Sequence, residues 1–191
     1  MTVAKITFWG TRGSYPIASP QTIKVGGRTS CVSIEHEGRL IMLDAGTGLI
    51  ALGEDPRLDN YQEATFLLSH LHHDHIMGIP FFKPIFNKNW GLHFYTSVAM
   101  PYGGVEKVLK TCFSPPYFPL EWEKFSASRH YHDFEVGQEF LCHNTLVKTL
   151  TLDHPGGACG YRVCLSGATI VYLTDTKHTE ASWAKFIHFS Q

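Results

Sequence analysis

Residues 70–75 have the sequence HLHHDH, which crowds metal-binding side chains into six positions. In an extended backbone His70 and His72 point to the same side, because side chains alternate with a period of two, so both imidazoles can reach one metal ion. A turn after them would let Asp74 and His75 face a neighbouring position, where a carboxylate and an imidazole can hold a second ion. A solvated polar turn is a poor explanation for this concentration of ligands. The segment therefore predicts a metal centre.

Hydrophobic patterning predicts the elements that position this segment. Residues 64–69 (ATFLLS) form a nearly continuous apolar run, typical of a buried strand, and the run ends directly before His70. Helices are predicted at residues 48–53, 104–113 and 180–189, whereas residues 118–134 show no regular pattern. Further strands are predicted at residues 3–9, 30–36, 39–45, 146–152, 160–165 and 169–174, with hairpin turns at Glu37-Gly38 and Ser166-Gly167.

The order of these elements predicts the fold class. An early and a late group of strands with helices between them favours a layered α+β fold of the αββα type over a doubly wound sheet. The length of 191 residues suits a single domain that spans residues 1–191. The amino terminus has the alternation of a first strand and lacks the uninterrupted apolar segment of a signal peptide.

Composition narrows the class of protein. The chain is 43% hydrophobic and 17% charged, which excludes a disordered chain, and no apolar stretch approaches the ~18 residues of a membrane span. Sixteen Lys and Arg against seventeen Asp and Glu give a net charge of −1, so we expect no stable DNA complex. Five cysteines without a C-x-x-C pair predict reduced thiols in the cytoplasm. Twelve histidines exceed what packing needs and indicate metal or proton chemistry.

Three further motifs surround the HLHHDH segment: LDAGTG at residues 43–48, His154 followed by Pro-Gly, and Asp175 after the apolar run IVYLT. Each motif alone is weak, but four in this order at these spacings are specific. From about residue 3 to about residue 178 the chain resembles the metallo-β-lactamase superfamily. The resemblance implies a four-layer αββα sandwich with a metal site at one edge between its two sheets. Such a site usually holds two zinc ions, although iron or manganese occurs.

The resemblance also assigns metal ligands residue by residue. Three imidazoles would bind the first ion, a carboxylate and an imidazole would contribute to the second, and one more carboxylate would bridge the two. These ligands are, in that order, His70, His72 and His154, then Asp74 and His75, then Asp175. Asp74 would also be catalytic, because it could orient or deprotonate the attacking water.

A buried carboxylate, Asp44 of the LDAGTG motif, would lie beside the ligands and orient the His turn. Other interpretations stay open for three of these residues. Asp44 could be purely structural, His154 could be an ordinary turn residue, and Asp175 could cap the helix that follows it. The last role is compatible with binding a metal.

Three features indicate the branch of the superfamily. An aspartate at the bridging position resembles the hydrolases of phosphodiesters and thioesters more than the enzymes that cleave β-lactams. The motifs FWGTRGS at residues 8–14 and SPPYFP at residues 114–119 are similar to the ribonuclease-Z-like and cyclic-nucleotide-phosphodiesterase-like branch. Within the first motif, Arg12 and Ser14 would bind the substrate phosphate. The competing interpretation is a turn whose arginine only pairs with a surface carboxylate.

These features predict a metal-dependent hydrolase in which a metal-bound hydroxide attacks phosphorus. The expected substrate is a small or cyclic nucleotide, or an RNA end. Two alternatives stay open. One is a thioester or other ester hydrolase of the same fold, and the other is a shortened metal-binding protein with weak catalysis.

Two departures from the family pattern affect this interpretation. Arg28 stands where relatives usually have Asn. The family also supplies one further His beyond the bridging aspartate, whereas the sixteen residues after Asp175 offer only His178 and His188, neither at the family spacing. We therefore expect a shortened chain, without the last elements of the sandwich and with a weak second zinc site. A partner subunit in a homodimer is one way to complete that site.

Overall fold

The structure, a computed structural model, describes residues 3–191, and its first sheet contains six strands in chain order. The three amino-terminal strands pair antiparallel, whereas the third to the sixth pair in parallel. The carboxyl ends of the parallel strands therefore meet at one edge of the sheet. The six strands are β1 (Lys5–Gly10), β2 (Cys31–His36), β3 (Arg39–Leu43), β4 (Glu63–Leu67), β5 (Gly91–Thr96) and β6 (Ser128–Asp133).

The second sheet contains four antiparallel strands in reverse chain order. Its inner face packs on the first sheet, because Val147, Tyr161 and Val163 share a buried core with Ile34 and Leu67. This core holds the two sheets face to face. The four strands are β7 (Glu139–Cys142), β8 (Thr145–Leu152), β9 (Ala158–Leu165) and β10 (Ala168–Tyr172).

Helices cover the outer faces of both sheets. Leu49 and Leu109 join the core on the outer face of the first sheet, whereas Phe186 packs with Leu152 on the second sheet. The layers are thus helix, sheet, sheet and helix, which confirms the predicted αββα sandwich. Within residues 3–191, none of the helices has both the length and the apolar character needed to cross a bilayer. The helices are α1 (Gly48–Gly53), α2 (His73–Ile76), α3 (Val105–Cys112) and α4 (Glu180–Ser190).

Strand β4 is buried on both faces, which explains its unbroken apolar run. Phe66 packs in the core on the helix side, and Leu67 packs in the core between the sheets. The strand also pairs in parallel with β3 on one side and β5 on the other. The chain therefore leaves the sheet at a fixed point, directly before the HLHHDH segment.

The two predicted hairpin turns are confirmed, but three strands differ from the prediction. The turns at Glu37-Gly38 and Ser166-Gly167 join β2 to β3 and β9 to β10. The strands β5, β6 and β7 have no predicted counterpart, and β6 shows that the irregular assignment of residues 118–134 is wrong for residues 128–133. The sequence of β6, SRHYHD, is mostly polar because β6 is an edge strand. Its strand conformation comes from pairing with β5, which hydrophobic patterning does not reveal.

Replacing Phe66 with alanine should destabilise the fold by about 3–5 kcal/mol. The change removes a fully buried ring that stacks on Phe94 with ring centroids 4.9 Å apart. Phe8→Ala is the matched control, because Phe8 is 70% exposed on β1 and its loss should cost less than about 1 kcal/mol. Urea unfolding followed by circular dichroism measures both free energies. Equal losses in the two variants would contradict this account of the core.

Candidate metal centre

Three imidazoles form a first group of ligands. His70 and His72 follow β4, and His154 follows β8. The Nδ1 atom of His72 and the Nε2 atom of His154 are 3.1 Å apart, and the His70 ring centroid lies 4.5 Å from that of His72 and 4.6 Å from that of His154. Zinc–nitrogen bonds of about 2.0–2.1 Å in a tetrahedron place neighbouring ligand atoms about 3.3 Å apart. The three rings could therefore hold one cation between them.

A second group of ligands contains His75 and two carboxylates, and it lies directly beside His70 of the first group. One oxygen of Asp175, Oδ2, lies 3.8 Å from Nε2 of His70, 3.6 Å from Nε2 of His75 and 3.8 Å from Nε2 of His154. Oδ2 of Asp74 lies 3.3 Å from Nε2 of His75. Asp175 thus lies between the two groups, as a bridging carboxylate must.

Two buried nitrogen atoms of the centre have no hydrogen-bond partner within residues 3–191. They are Nε2 of His70 and Nε2 of His75, and each residue is only 1% exposed. Buried polar atoms normally have a partner, since leaving one unpaired costs about 1–3 kcal/mol. Both atoms face Asp175 across a gap that is too wide for a hydrogen bond and is suitable for a cation. The donor set therefore fits a divalent metal.

The carboxylate of Asp44 is fully buried and accepts hydrogen bonds on both oxygens. Oδ1 accepts from the Ser69 amide at 2.7 Å, and Oδ2 accepts from the Ser69 hydroxyl at 2.8 Å and from the Tyr172 hydroxyl at 2.8 Å. Nδ1 of His75 lies 2.7 Å from Oδ2. This last hydrogen bond turns Nε2 of His75 toward Asp74 and Asp175. Sequence reasoning predicted Asp44 beside the His turn but missed Ser69 and Tyr172.

Burial and charge separate the protonation of two neighbouring histidines. Burial, together with the charge of the neighbouring His75, lowers the pKa of His70 to about 4. Burial acts in the same direction on His75, but the charge and hydrogen bond of Asp44, together with Asp74 and Asp175, outweigh it and raise the pKa to about 9. Without metal, His70 is therefore neutral at neutral pH, whereas His75 is charged.

Small residues let the LDAGTG loop run against α2. A Cβ atom on Gly46 would collide with the carbonyl oxygen of Asp74, and one on Gly78 would collide with the carbonyl oxygen of Gly46. The amide of Ala45 donates to the carbonyl of His75 at 2.7 Å, and the amide of Gly78 donates to the carbonyl of Ala45 at 2.9 Å. This backbone contact holds the ligand turn against the end of β3.

The loop at residues 10–14 reaches the centre through its backbone. The amide of Ser14 donates to Oδ2 of Asp74 at 2.7 Å, and Ser14 adopts a left-handed backbone with φ of 69°. The guanidinium of Arg12 lies over the Tyr15 ring, 4.9 Å from its centroid, and its Nε is buried without a partner within residues 3–191. The structure thus brings Ser14 to the centre, while no hydrogen bond or ion pair described for residues 3–191 joins Arg12 to a ligand.

A cavity of about 360 Å³ opens beside the first group of ligands. Its walls come from His70, His72, the Gly156-Gly157 turn and α3. The lining is mostly apolar, with one cationic side chain. The sequence predicts the helix but not these lining residues, since residue spacing does not show which face of the helix borders the cavity. They include Leu71, Val98, Tyr102, Lys107, Val108 and Thr111.

His178, the nearest histidine after Asp175 in the chain, takes no described part in the centre. It is exposed, and its ring stacks on Trp183 with centroids 5.3 Å apart. Within residues 3–191, five side chains at this edge form groups in which every ligand atom lies within 4.8 Å of the others, and Asp74 approaches these groups through its contact with His75. The five are His70, His72, His75, His154 and Asp175.

The sequence and the geometry match a known family. The family described as the Metallo-beta-lactamase superfamily matches residues 25–184. The chain belongs to the metallo-beta-lactamase superfamily, as its motifs predict. The fold of this superfamily binds divalent metals, in agreement with the cluster of imidazoles and carboxylates at the sheet edge.

A curated relative agrees with the predicted branch, and two solved structures share the fold. The chain is 24% identical over 161 residues to the ribonuclease Z of Clostridium tetani (strain Massachusetts / E88), which covers 82% of this chain and 49% of that protein. It therefore spans about half the length of this curated relative. The metallo-beta-lactamase fold protein YhfI from Bacillus subtilis shares the fold with a TM-score of 0.66 at 19% identity, covering 93% of this chain and 64% of that one. Human tRNase Z, short form, shares the fold with a TM-score of 0.64 at 19% identity, covering 96% of this chain and 74% of that one.

Asp44→Asn should weaken metal binding about 10- to 100-fold, because an amide cannot accept all the hydrogen bonds that orient His75 and Ser69. The exposed Asp59→Asn provides a control that removes the same charge far from these contacts. Equilibrium dialysis with zinc, followed by elemental analysis, gives both affinities. Unchanged affinity in Asp44→Asn would show that Asp44 is only structural.

Metal binding at His75 should release a proton, because a pKa of about 9 keeps its imidazole charged near neutral pH and a ligand imidazole must be neutral. His70 is already neutral and should release none. The affinity for that ion should rise about tenfold per pH unit until the pH reaches the pKa of His75. Titration calorimetry in buffers of different ionisation enthalpy counts the protons. Absence of proton release at pH near 7 would refute the assignment.

Proposed function

We propose that this chain is a metal-dependent phosphodiesterase that acts on a small or cyclic nucleotide or on an RNA end. The observation that carries the proposal is the position of Asp175, whose Oδ2 lies 3.6–3.8 Å from Nε2 of His70, His75 and His154. A site with an aspartate at the bridging position resembles the sites of hydrolases that cleave phosphodiesters and thioesters. The similarity to a ribonuclease Z supports the phosphodiester.

The metal ligands in this proposal are those of the two groups described above. His70, His72 and His154 would hold the first ion, Asp74 and His75 the second, and Asp175 would touch both. Zinc suits the imidazole-rich first group, and manganese or iron would suit the carboxylate-rich second one. Divalent cations held there supply positive charge that polarises the scissile ester and stabilises the charge of the transition state.

Asp74 is the residue that we propose to orient the attacking water and accept its proton. Asp74 is buried, with 7% of the residue exposed, so few waters compete for its carboxylate. The Ser14 amide donates a hydrogen bond to one oxygen, Oδ2, at 2.7 Å, and the His75 ring lies 3.3 Å from the same oxygen as an ion pair. An ordered carboxylate beside the metal ligands has the chemistry of a general base.

The substrate would be held from two sides. We assign the phosphate to Arg12 and Ser14, because the Arg12 Nε is a donor without a partner in residues 3–191 and the Ser14 hydroxyl makes none of the hydrogen bonds described there. We assign the rest of a nucleotide to the cavity of about 360 Å³, whose volume lies in the range of small-molecule sites. Lys107 on its wall can pair with a phosphate oxygen.

The proposal also covers the cellular compartment, the size of the substrate and a possible subunit partner. All five cysteines are free thiols, which fits the reducing cytoplasm. The net charge of −1 favours a small substrate over a stable complex with DNA. The second ion has three protein ligands within residues 3–191, so a homodimer partner could supply another.

His72→Ala should remove bound metal and phosphodiester hydrolysis together, because His72 is one of three imidazoles of the first group. His73→Ala is the matched control, since His73 is the adjacent histidine, is exposed like His72, and lies outside that group. At this centre we expect about one tightly bound ion, with activity rising on added zinc or manganese as the second group fills.

The substrate class follows from the same experiment. Hydrolysis of bis(p-nitrophenyl) phosphate but not of S-lactoylglutathione supports the phosphodiesterase, and the reverse result supports a thioesterase of the same fold. Metal binding with no hydrolysis of either ester, at any metal concentration, supports the metal-binding protein without efficient catalysis.

Arg12→Ala should lower kcat/KM for the phosphodiester by about 10- to 150-fold, equivalent to about 1.5–3 kcal/mol for a charge-assisted hydrogen bond. Metal content should not change. Arg28→Ala is the control, because Arg28 is an exposed arginine of the adjacent backbone. If Arg12→Ala retains full activity, Arg12 only stabilises the loop at residues 10–14 and does not bind the substrate phosphate.

A further inference from the structure

A second cluster of histidines lies at the opposite end of β4 from the candidate metal centre. Glu63 is the first residue of β4, whereas His70 follows its last residue. Seven residues of extended chain span roughly 20 Å. None of the ligands of the candidate metal centre belongs to this cluster, whose members are Glu63, His93, His130, His132 and His143.

Three side chains of the cluster present ligand atoms close to one another. The carboxylate Oε2 of Glu63 lies 3.7 Å from Nδ1 of His143, and the rings of His93 and His143 have centroids 4.8 Å apart. One ligand atom from each of these three residues lies within 4.8 Å of the others. Small side-chain rotations would bring these atoms to the separation of about 3.3 Å that a tetrahedral ion requires.

Two more imidazoles lie within reach of the same place. His130 pairs with His93 in the parallel register of β5 and β6, and their rings stack with centroids 4.5 Å apart. His132 is two residues further along β6 and therefore lies on the same face, with Nε2 3.4 Å from Nδ1 of His93. The cluster thus offers a fourth protein ligand.

Regular elements of both sheets hold the cluster in place. Glu63 begins β4, and His93 lies within β5. His143 occupies the turn between β7 and β8, where it adopts a left-handed backbone with φ of 46° and Asn144 follows with φ of 66°. An ion bound here would therefore connect the first sheet to the turn of the second.

We propose that Glu63, His93 and His143 form a second metal site that binds a borderline divalent cation such as Zn²⁺, Ni²⁺ or Cu²⁺ and fastens the two sheets together. Imidazole with a carboxylate is a ligand set that these cations favour. Two of these residues, Glu63 and His143, line a separate cavity of about 670 Å³ together with His130, so an ion can enter from solvent.

The protonation of His93 agrees with the site that the geometry of the cluster defines. Burial, followed by the neighbouring His130 and His143, lowers the pKa of His93 to about 4. The imidazole of His93 is therefore neutral at neutral pH and has a lone pair to donate to a metal. The function proposed for the other edge of the sheet does not depend on this site.

Counting bound Zn²⁺ and Ni²⁺ per chain tests the proposal. Dialysis of the full chain against each metal alone, followed by elemental analysis, should show that His93→Ala and His143→Ala each lose the same one equivalent. The double variant should lose no more than either single variant, since the two residues serve one ion. Zn²⁺ should raise the Tm of the parent chain by more than that of His143→Ala.

His188→Ala is the control, because His188 is a histidine of α4 outside the cluster. Retention of the full metal count by the double variant would overturn the proposal and leave the stacked rings as packing. An equal loss in His188→Ala would also overturn it, by showing adventitious binding to surface histidines. Glu63→Gln, at an exposed position, repeats the test should either histidine variant fail to fold. It should bind the ion at least tenfold more weakly, and unchanged affinity would argue against the site.

Discussion

The buried carboxylate of Asp44 is the interaction on which the metal centre depends. A fully buried charge costs several kcal/mol unless hydrogen bonds replace the water it has lost. Ser69, His75 and Tyr172 make those bonds, and they come from the end of β4, from α2 and from the end of β10. One carboxylate therefore joins both sheets to the turn that carries the ligands. Its partners cannot move independently, so the geometry of the centre is set before any ion binds.

In the same region, several residues have a strained backbone conformation and two buried polar atoms lack a hydrogen-bond partner in the described part of the chain. Ser14, Asp44 and Asp175 all have positive φ, at 69°, 60° and 43°, a conformation that costs residues other than glycine of order 1–3 kcal/mol. His70 and His75 each keep a buried nitrogen without a partner in the described part of the chain. A divalent cation satisfies both nitrogens and the facing carboxylates together, and this gain offsets the strain. The cost of the arrangement is therefore a reason to expect metal there.

The burial of strand β4 explains why the candidate metal-binding residues lie at its two ends. Its middle is buried on both faces and paired on both sides, so it tolerates only apolar or small residues. Polar side chains can be held rigidly only where the strand begins and where it ends. His70 lies beyond one end and Glu63 at the other. The parallel registers place His93 opposite Thr65, two residues from Glu63, and place His130 opposite His93. Histidines gather at both places, in agreement with the histidine-rich composition.

The local sequence by itself determined the ligand pattern of residues 70–75, the buried strand before it and the two hairpin turns, because each depends on side-chain alternation or backbone preference over a few residues. His154 and Asp175 came only from resemblance to a family, since no local rule brings residues so distant in the chain to His70. The edge strand β6 and the cluster around His93 were not predicted. Cross-strand pairing and the packing of two sheets create them, and these are long-range contacts that no short stretch of sequence encodes.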